Sequence, residues 1–186
     1  DMHLMRKAPC PVWILQSEQP AKTERVLAAV DPDTEDDGAA ELTRTVLELA
    51  TSLAERDGAK LDIVHAWQLQ EEDALRAGRF AMSDGEIATI LSSEERRHKA
   101  ALAACLAPFD GIGSRAVIRL LKGAPGDVIP DDARDKSIDT IVMGTVGRTG
   151  IRGFFIGNTA ETMLANVKCS VLTAKPPGFV SPVGAA

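Results

Sequence analysis

The sequence predicts an α/β domain: an open, five-stranded parallel sheet in the order 3-2-1-4-5, with helices on both faces and an extra strand at the amino terminus. Three observations carry this. Short apolar runs rich in β-branched residues alternate with longer helical patterns from about Thr23 to Lys175. Such alternation demands right-handed crossovers between parallel strands. A glycine-rich connection also follows the fourth run, where a wound sheet opens toward ligands.

The strand runs are Arg25 to Val30, Leu61 to Trp67, Arg115 to Leu121, Asp139 to Met143 and Cys169 to Ala174. Each is short and apolar, as strands buried on both faces require. Between the first two, Leu42, Val46, Leu49 and Leu53 recur at helical spacing, and Asp57-Gly58 stops that helix. Ile87, Ile90, Leu91, His98, Leu102 and Leu106 mark a second helix ended by Pro108, with Glu94, Glu95, Arg96 and Arg97 as its solvated face. A third follows Gly123-Ala-Pro-Gly126, with Asp127, Asp131 and Asp132 early and Arg134 and Lys136 late, the order the helix dipole favours. A fourth begins at Asn158. Gln68 to Asp84 lacks periodicity and reads as a loop over a site or a mobile decoration. Residues 176–186, rich in Pro and Gly, read as a frayed or extended tail.

Residues 1–22 precede this unit, and Cys10 to Leu15 within them reads as one more strand. A shift of 159 positions lays Leu4 and Met5 on Met163 and Leu164, Cys10 on Cys169 and Val12 on Val171. This is either a chance likeness of two helix-to-strand joints or the closing helix and strand of a preceding copy. On the second reading Ser17 to Lys22 is an interdomain linker, 23–175 is the domain, and Cys10 to Leu15 pairs with the otherwise bare edge at Cys169 to Ala174.

Composition narrows the partners. With 27 acidic against 21 basic residues the formal charge is -6, which disfavours nucleic acid. Cys10, Cys105 and Cys169 lie far apart without metal-ligand spacing, which fits a reduced compartment, and Cys105 and Cys169 read as packing residues rather than redox or metal groups. No transmembrane or signal pattern is present in the sequence given, so the expectation is a cytoplasmic protein that binds no membrane.

The richest stretch is Gly144-Thr-Val-Gly147-Arg-Thr-Gly150-Ile-Arg-Gly153-Phe-Phe-Ile-Gly157-Asn158-Thr159-Ala-Glu161. Its glycines let main-chain N–H groups approach an anion, and Asn158 with Glu161 has the spacing of a helix N-cap and capping box. The same features also serve plain turns and lids. In the expected strand order, Asp31 and Gly144 end the strands flanking the switch point and face one crevice. Asp31 accepts from a ribose hydroxyl or adenine amine there, or is a turn residue before Pro32. The acidic run from Asp31 through Asp33, Glu35, Asp36 and Asp37 holds magnesium, repels a triphosphate, or is a solvated loop. Arg148 and Arg152 either offset phosphate charge or are simply exposed.

These residues resemble the universal stress protein family, whose ATP-binding members carry G-x2-G-x9-G-(S/T). Gly144, Gly147 and Gly157 match its glycines, while Asn158 replaces the Ser or Thr. Val30-Asp31, His65, Gly123-x-Pro125 and the Asp139 to Gly144 strand extend the likeness over nearly the whole chain. The GTVGRTG and GNTAE wording looks most like the carboxyl half of tandem, E-type members. The resemblance implies a Rossmann-like, adenine nucleotide alpha hydrolase-like fold. It further implies ATP as cofactor, with or without magnesium: adenine and ribose at Asp31 and Ala66, Met143 lining the pocket, and phosphates at Gly144, Gly147, Gly157, Asn158 and Thr159, with Arg148 nearby. It also implies pairing with another such module through the fifth strand, as a homodimer or tandem pseudo-dimer.

Catalysis is less supported. The sequence has no G-x4-G-K-(S/T) loop, no G-x-G-x-x-G after its first domain strand and no G-x-S-x-G elbow. His3, His65 and His98 fall on three elements, and His65 reads as a core or crevice-wall residue rather than a base. Trp13 and Trp67 read as packing. The expectation is a nucleotide-dependent sensor with at most weak ATP hydrolysis, or else an interaction module with no nucleotide.

Overall fold

The computed structural model describes residues 2–16, 22–32, 37–69, 72–77, 82–109, 111–145, 157–176, 178–179 and 181. In chain order the elements are α1 (Met2–Lys7), β1 (Val12–Ile14), β2 (Arg25–Ala29), α2 (Asp37–Asp57), β3 (Lys60–Trp67), α3 (Glu72–Ala77) and α4 (Asp84–Leu106). Then come α5 (Ile112–Arg115), β4 (Ala116–Lys122), α6 (Pro125–Asp135), β5 (Thr140–Gly144), α7 (Asn158–Asn166) and β6 (Ser170–Ala174).

One six-stranded sheet runs β1-β6-β5-β2-β3-β4. Its five domain strands are mutually parallel and follow the expected 3-2-1-4-5 order, and β1 adds to the β6 edge antiparallel. The alternation of side chains splits the core in two. Val26, Ala28, Ile63 and Val142 pack under α2 and α4 with Val46, Leu47, Ala50 and Leu102. Leu27, Val64, Ile141 and Val171 face the other way, against Ile129 and Ala133 of α6, Ala160 and Met163 of α7 and Met5 of α1. The helices that follow β2 and β5 therefore lie on opposite faces, which makes the junction of those two strands the topological switch point.

Helix α2 starts its buried stripe at Leu42 and ends where Gly58 takes a positive φ of 62° and its N–H returns to the Glu55 carbonyl. The amino ends of the strands are tied by carboxylates. Asp139 accepts from the N–H groups of Glu24 and Arg25, both at 2.8 Å, and so joins β2 to the start of β5. Fully buried Asp62 receives Arg25 and Arg119, and Arg119 also reaches Asp132 of α6.

Three expectations are corrected. The Gln68 to Asp84 stretch is no plain loop: α3 occupies Glu72–Ala77, held by Arg76 and Lys122 on Glu72. Asp131 and Asp132 are not early in their helix; only Asp127 lies in the first turn of α6. The capping box is not at Asn158, because Gly157 is the N-cap of α7 and Asn158 is its first helical residue. A capping box does form at Ser83: its hydroxyl accepts from the Glu86 N–H at 3.3 Å and Glu86 accepts from the Ser83 N–H at 2.9 Å. The Ser-x-x-Glu spacing before the α4 apolar run was the signal that would have found it.

Candidate functional site at the carboxyl ends of β2 and β5

The crevice is built where the ladder runs out. Ala29 pairs with both Val64 and Met143, so continuing that parallel register sets Asp31 level with Ala66 on one side and Thr145 on the other. The ladder outlasts β2 by one bond, Val30 N–H to the Val64 carbonyl at 3.0 Å, after which Pro32 supplies no donor. Asp31 is half-buried, and its carbonyl accepts from the Thr43 hydroxyl of α2 at 3.1 Å, which fixes the strand-to-helix passage. Ala66 and Met143 are buried and form the wall on the α6 and α7 side.

Gly144 has no room for a side chain: a Cβ there would lie 2.8 Å from Cδ2 of Leu42. Its absence lets α2 close directly over the end of β5. Thr145, fully buried, binds the Ala174 carbonyl through both its N–H and its hydroxyl at 3.1 Å. From Thr145 the chain departs as segment 146–156 and returns at Gly157, whose N–H donates to the Thr145 carbonyl at 2.9 Å. The base of the glycine-rich segment is thus pinned shut at the switch point. Gly147, Arg148 and Arg152, expected around the phosphates, lie outside the described residues, as do Asp33, Glu35 and Asp36 of the acidic run.

Two helix amino termini open on this end of the sheet without a side-chain cap, α6 at Ala124 and α7 at Gly157. First-turn N–H groups have no intrahelical acceptor, so the α7 terminus keeps donors and a positive end for an anion, whereas in α6 Pro125 has no N–H and the Asp127 N–H already returns to the Ala124 carbonyl. Gly123 turns into α6 at φ 139°, a conformation open to glycine. Gly126 lets α6 approach α7, since a Cβ there would meet Cγ2 of Thr162 at 2.8 Å.

Sequence reasoning missed what His65 does. Its ring is buried, Nδ1 lies 3.1 Å from the Val30 carbonyl and Nε2 lies 2.9 Å from Nδ1 of His98. The His98 ring stacks on Trp67, and its Nε2 is 3.0 Å from Nη2 of Arg97. No spacing rule joins residues 65 and 98; only the packing of α4 on β3 does. Away from the crevice, burial pushes the Cys169 thiol up to about 11 and also raises Cys105, which suits packing rather than thiolate chemistry. Burial lowers Lys175, whose ammonium donates to the Met5 carbonyl. Among the described residues there is no group of three or more His, Cys, Asp or Glu placed to hold a metal, and no helix long and apolar enough to cross a membrane.

A doubly wound sheet with a glycine-bordered crevice at its switch point defines the class: a Rossmann-like α/β domain. Comparison with known proteins then gives the family. Residues 22–175 match the model of the universal stress protein family, and the chain belongs to it. Over 185 residues it is 31% identical to universal stress protein E of Escherichia coli K12, covering 98% of this chain and 56% of that protein. The corresponding protein of Photorhabdus laumondii is 28% identical over 188 residues, covering 58% of its length. The chain therefore spans about half the length of the curated relatives it matches. Among solved structures, PA1789 of Pseudomonas aeruginosa PAO1, described as functionally unknown, superposes with a TM-score of 0.71 at 28% identity over 94% of this chain and 55% of its own. The universal stress protein UspA from Lactobacillus plantarum shares the fold, with a TM-score of 0.63 at 20% identity over 83% of this chain and 99% of its own.

Proposed function

We propose that this module binds an adenine nucleotide, ATP with or without magnesium, in the switch-point crevice and acts as a nucleotide-dependent sensor or regulator in the stress response of the cytoplasm. The observation that carries the reading is the closed base of the glycine-rich segment. The Gly157 N–H donates to the Thr145 carbonyl, which joins the two ends of the stretch carrying Gly147 and Arg148 between the switch point and the start of α7. In this reading Asp31 and Ala66 hold ribose and adenine, Met143 backs the ring, and Gly144, Gly147, Gly157, Asn158 and Thr159 offer N–H groups to the phosphates, with Arg148 offsetting their charge. The chain's own part is to bind and orient. No side chain at the crevice is assigned as a base or nucleophile, and the function needs no turnover: occupancy alone would order the segment and alter what a partner meets.

The finer family reading, that residues 1–22 close a preceding module and 23–175 form the carboxyl half of a tandem protein, has its own support. Val12, Trp13 and Ile14 pair with Thr173, Leu172 and Val171. Trp13 and Leu172 are 159 positions apart, the offset of the internal repeat, so each repeat faces its own counterpart about a local twofold axis. Such self-complementary pairing is how two copies of one unit meet. The partner of this module is accordingly a second module joined through β6, as a tandem pseudo-dimer or a homodimer.

The test is chromatography of nucleotide released by heat from freshly purified protein, followed by calorimetric titration of the stripped chain with magnesium and ATP. The expected result is one adenine nucleotide per chain and at least a roughly tenfold loss of affinity in Gly147→Val, equivalent to about 1.4 kcal/mol. No nucleotide and no heat with an intact fold would favour the interaction-module reading, for which Asn158 in place of a hydroxyl residue is the specific sign.

A further inference from the structure

With both rings neutral, the contacts that link Arg97, His98, His65 and Val30 agree on one arrangement of protons. A carbonyl oxygen can only accept, so Nδ1 of His65 carries a proton toward Val30 and its Nε2 is bare. A guanidinium can only donate, so Nε2 of His98 is bare toward Arg97 and its Nδ1 carries the proton. The two assignments, made from opposite ends, agree at the middle: His98 Nδ1–H donates to His65 Nε2 across 2.9 Å. The rings are 1% and 3% exposed, yet one end of the relay reaches the surface through Arg97 and the other holds the residue before Asp31.

Glu94 stands at the surface end. Its carboxylate takes Arg97 at 2.9 Å and lies 3.9 Å from His98 Nε2. A proton arriving at that nitrogen would remove the acceptor that Arg97 uses and create a donor for Glu94. The His98 Nδ1–H bond to His65 would survive, because it is a donor in either state. A second proton, on His65 Nε2, would set two cations against each other with ring centres 5.0 Å apart and break the relay. Two further charged groups, Glu95 of α4 and Lys122 of β4, line a cavity of about 400 Å³ with Trp67, the ring on which His98 stacks, and Asp31 follows Val30 in the chain.

We propose that the buried His65 and His98 pair is an acid-responsive switch: a single proton taken up at His98 exchanges Arg97 for Glu94 on the exposed face of α4, while His65 keeps its hold on Val30. It goes beyond nucleotide binding and needs no ligand, so its test uses the stripped chain and fails or succeeds independently of the crevice. Ring nitrogen NMR of the whole chain between pH 8 and pH 5 reads it directly. At pH 8 both rings should show the Nδ1–H tautomer; on acidification His98 should become doubly protonated while His65 stays neutral and the fold persists by circular dichroism. Glu94→Gln should move the His98 transition to lower pH, and Arg97→Gln should move it to higher pH. Both side chains are solvent-accessible, so the variants should fold, and a pair that stays neutral for as long as the fold persists would show no transition for them to move. An Nε2–H tautomer on either ring, protonation only with loss of the fold, or a transition that neither variant moves would overturn the proposal.

Discussion

The two ends of the sheet handle polarity in opposite ways. At the amino ends, side-chain carboxylates and guanidinia satisfy one another: Asp62 between Arg25 and Arg119, Arg119 onto Asp132, Asp139 on two N–H groups, and Asp57 on Arg56 and Thr23. At the carboxyl ends of β2 and β5 the described polar contacts fall on main-chain carbonyls, of Asp31, Thr145 and Ala174, beside Gly144 and the start of α7, which has no side-chain cap. A closed charge network stiffens and specifies, whereas main-chain donors left at helix ends are available to a ligand. On the proposed function, the contrast assigns stability and binding to opposite edges of the sheet, and substitutions should separate them.

The largest effect is expected at Asp62. Asp62→Ala leaves two guanidinia facing a buried void and should cost about 3 kcal/mol in urea unfolding without changing nucleotide affinity. Gly123→Ala should cost about 2 kcal/mol by the same measurement, since φ is 139° and the new Cβ would stand 2.4 Å from Cγ1 of Val128. Ser83→Ala removes the capping box of α4 and should cost about 1 kcal/mol, again leaving affinity alone. Asp57 is held down to about 2, chiefly by its hydrogen bond to Arg56. A carboxylate depressed below its unfolded value stabilises above that value and loses the contribution as pH falls toward the folded one. Asp57→Asn should therefore flatten the thermal midpoint against pH between about pH 4 and pH 2 and have little influence at neutrality. Smallest in stability, below about 0.5 kcal/mol, is Asp31→Ala, which spares the main-chain bond to Thr43; yet it should weaken adenine nucleotide binding about tenfold by calorimetry.

Much of the fold was legible in the residues. Strand identity followed from apolar runs such as Asp139 to Met143, because a strand buried on both faces has few alternatives, whereas the 3-2-1-4-5 order was a supposition that the pairing of the strands bears out. The pairing of Val12 to Ile14 with β6 was legible from the repeat with Ser170 to Ala174. What local pattern did not reveal depends on tertiary packing. Asn158 looks like a cap by composition, but the Gly157 bond to Thr145 sets the helix start one residue earlier. Glu72 to Ala77 has too little apolar periodicity to read as a helix and is held by charge pairs to Arg76 and Lys122. His65 and His98 gave no sign of contact, since a hydrogen bond between β3 and α4 leaves no spacing in the chain.

Hydrogen exchange with and without magnesium and ATP tests most directly whether the carboxyl ends are the binding edge. The account predicts added protection at Met143 to Thr145 and Gly157 to Ala160, extending to Val30 and Asp31, with Thr23 to Arg25 and Lys60 to Asp62 unchanged. Protection confined to the amino ends, or none anywhere at saturating nucleotide with the fold intact, would contradict it.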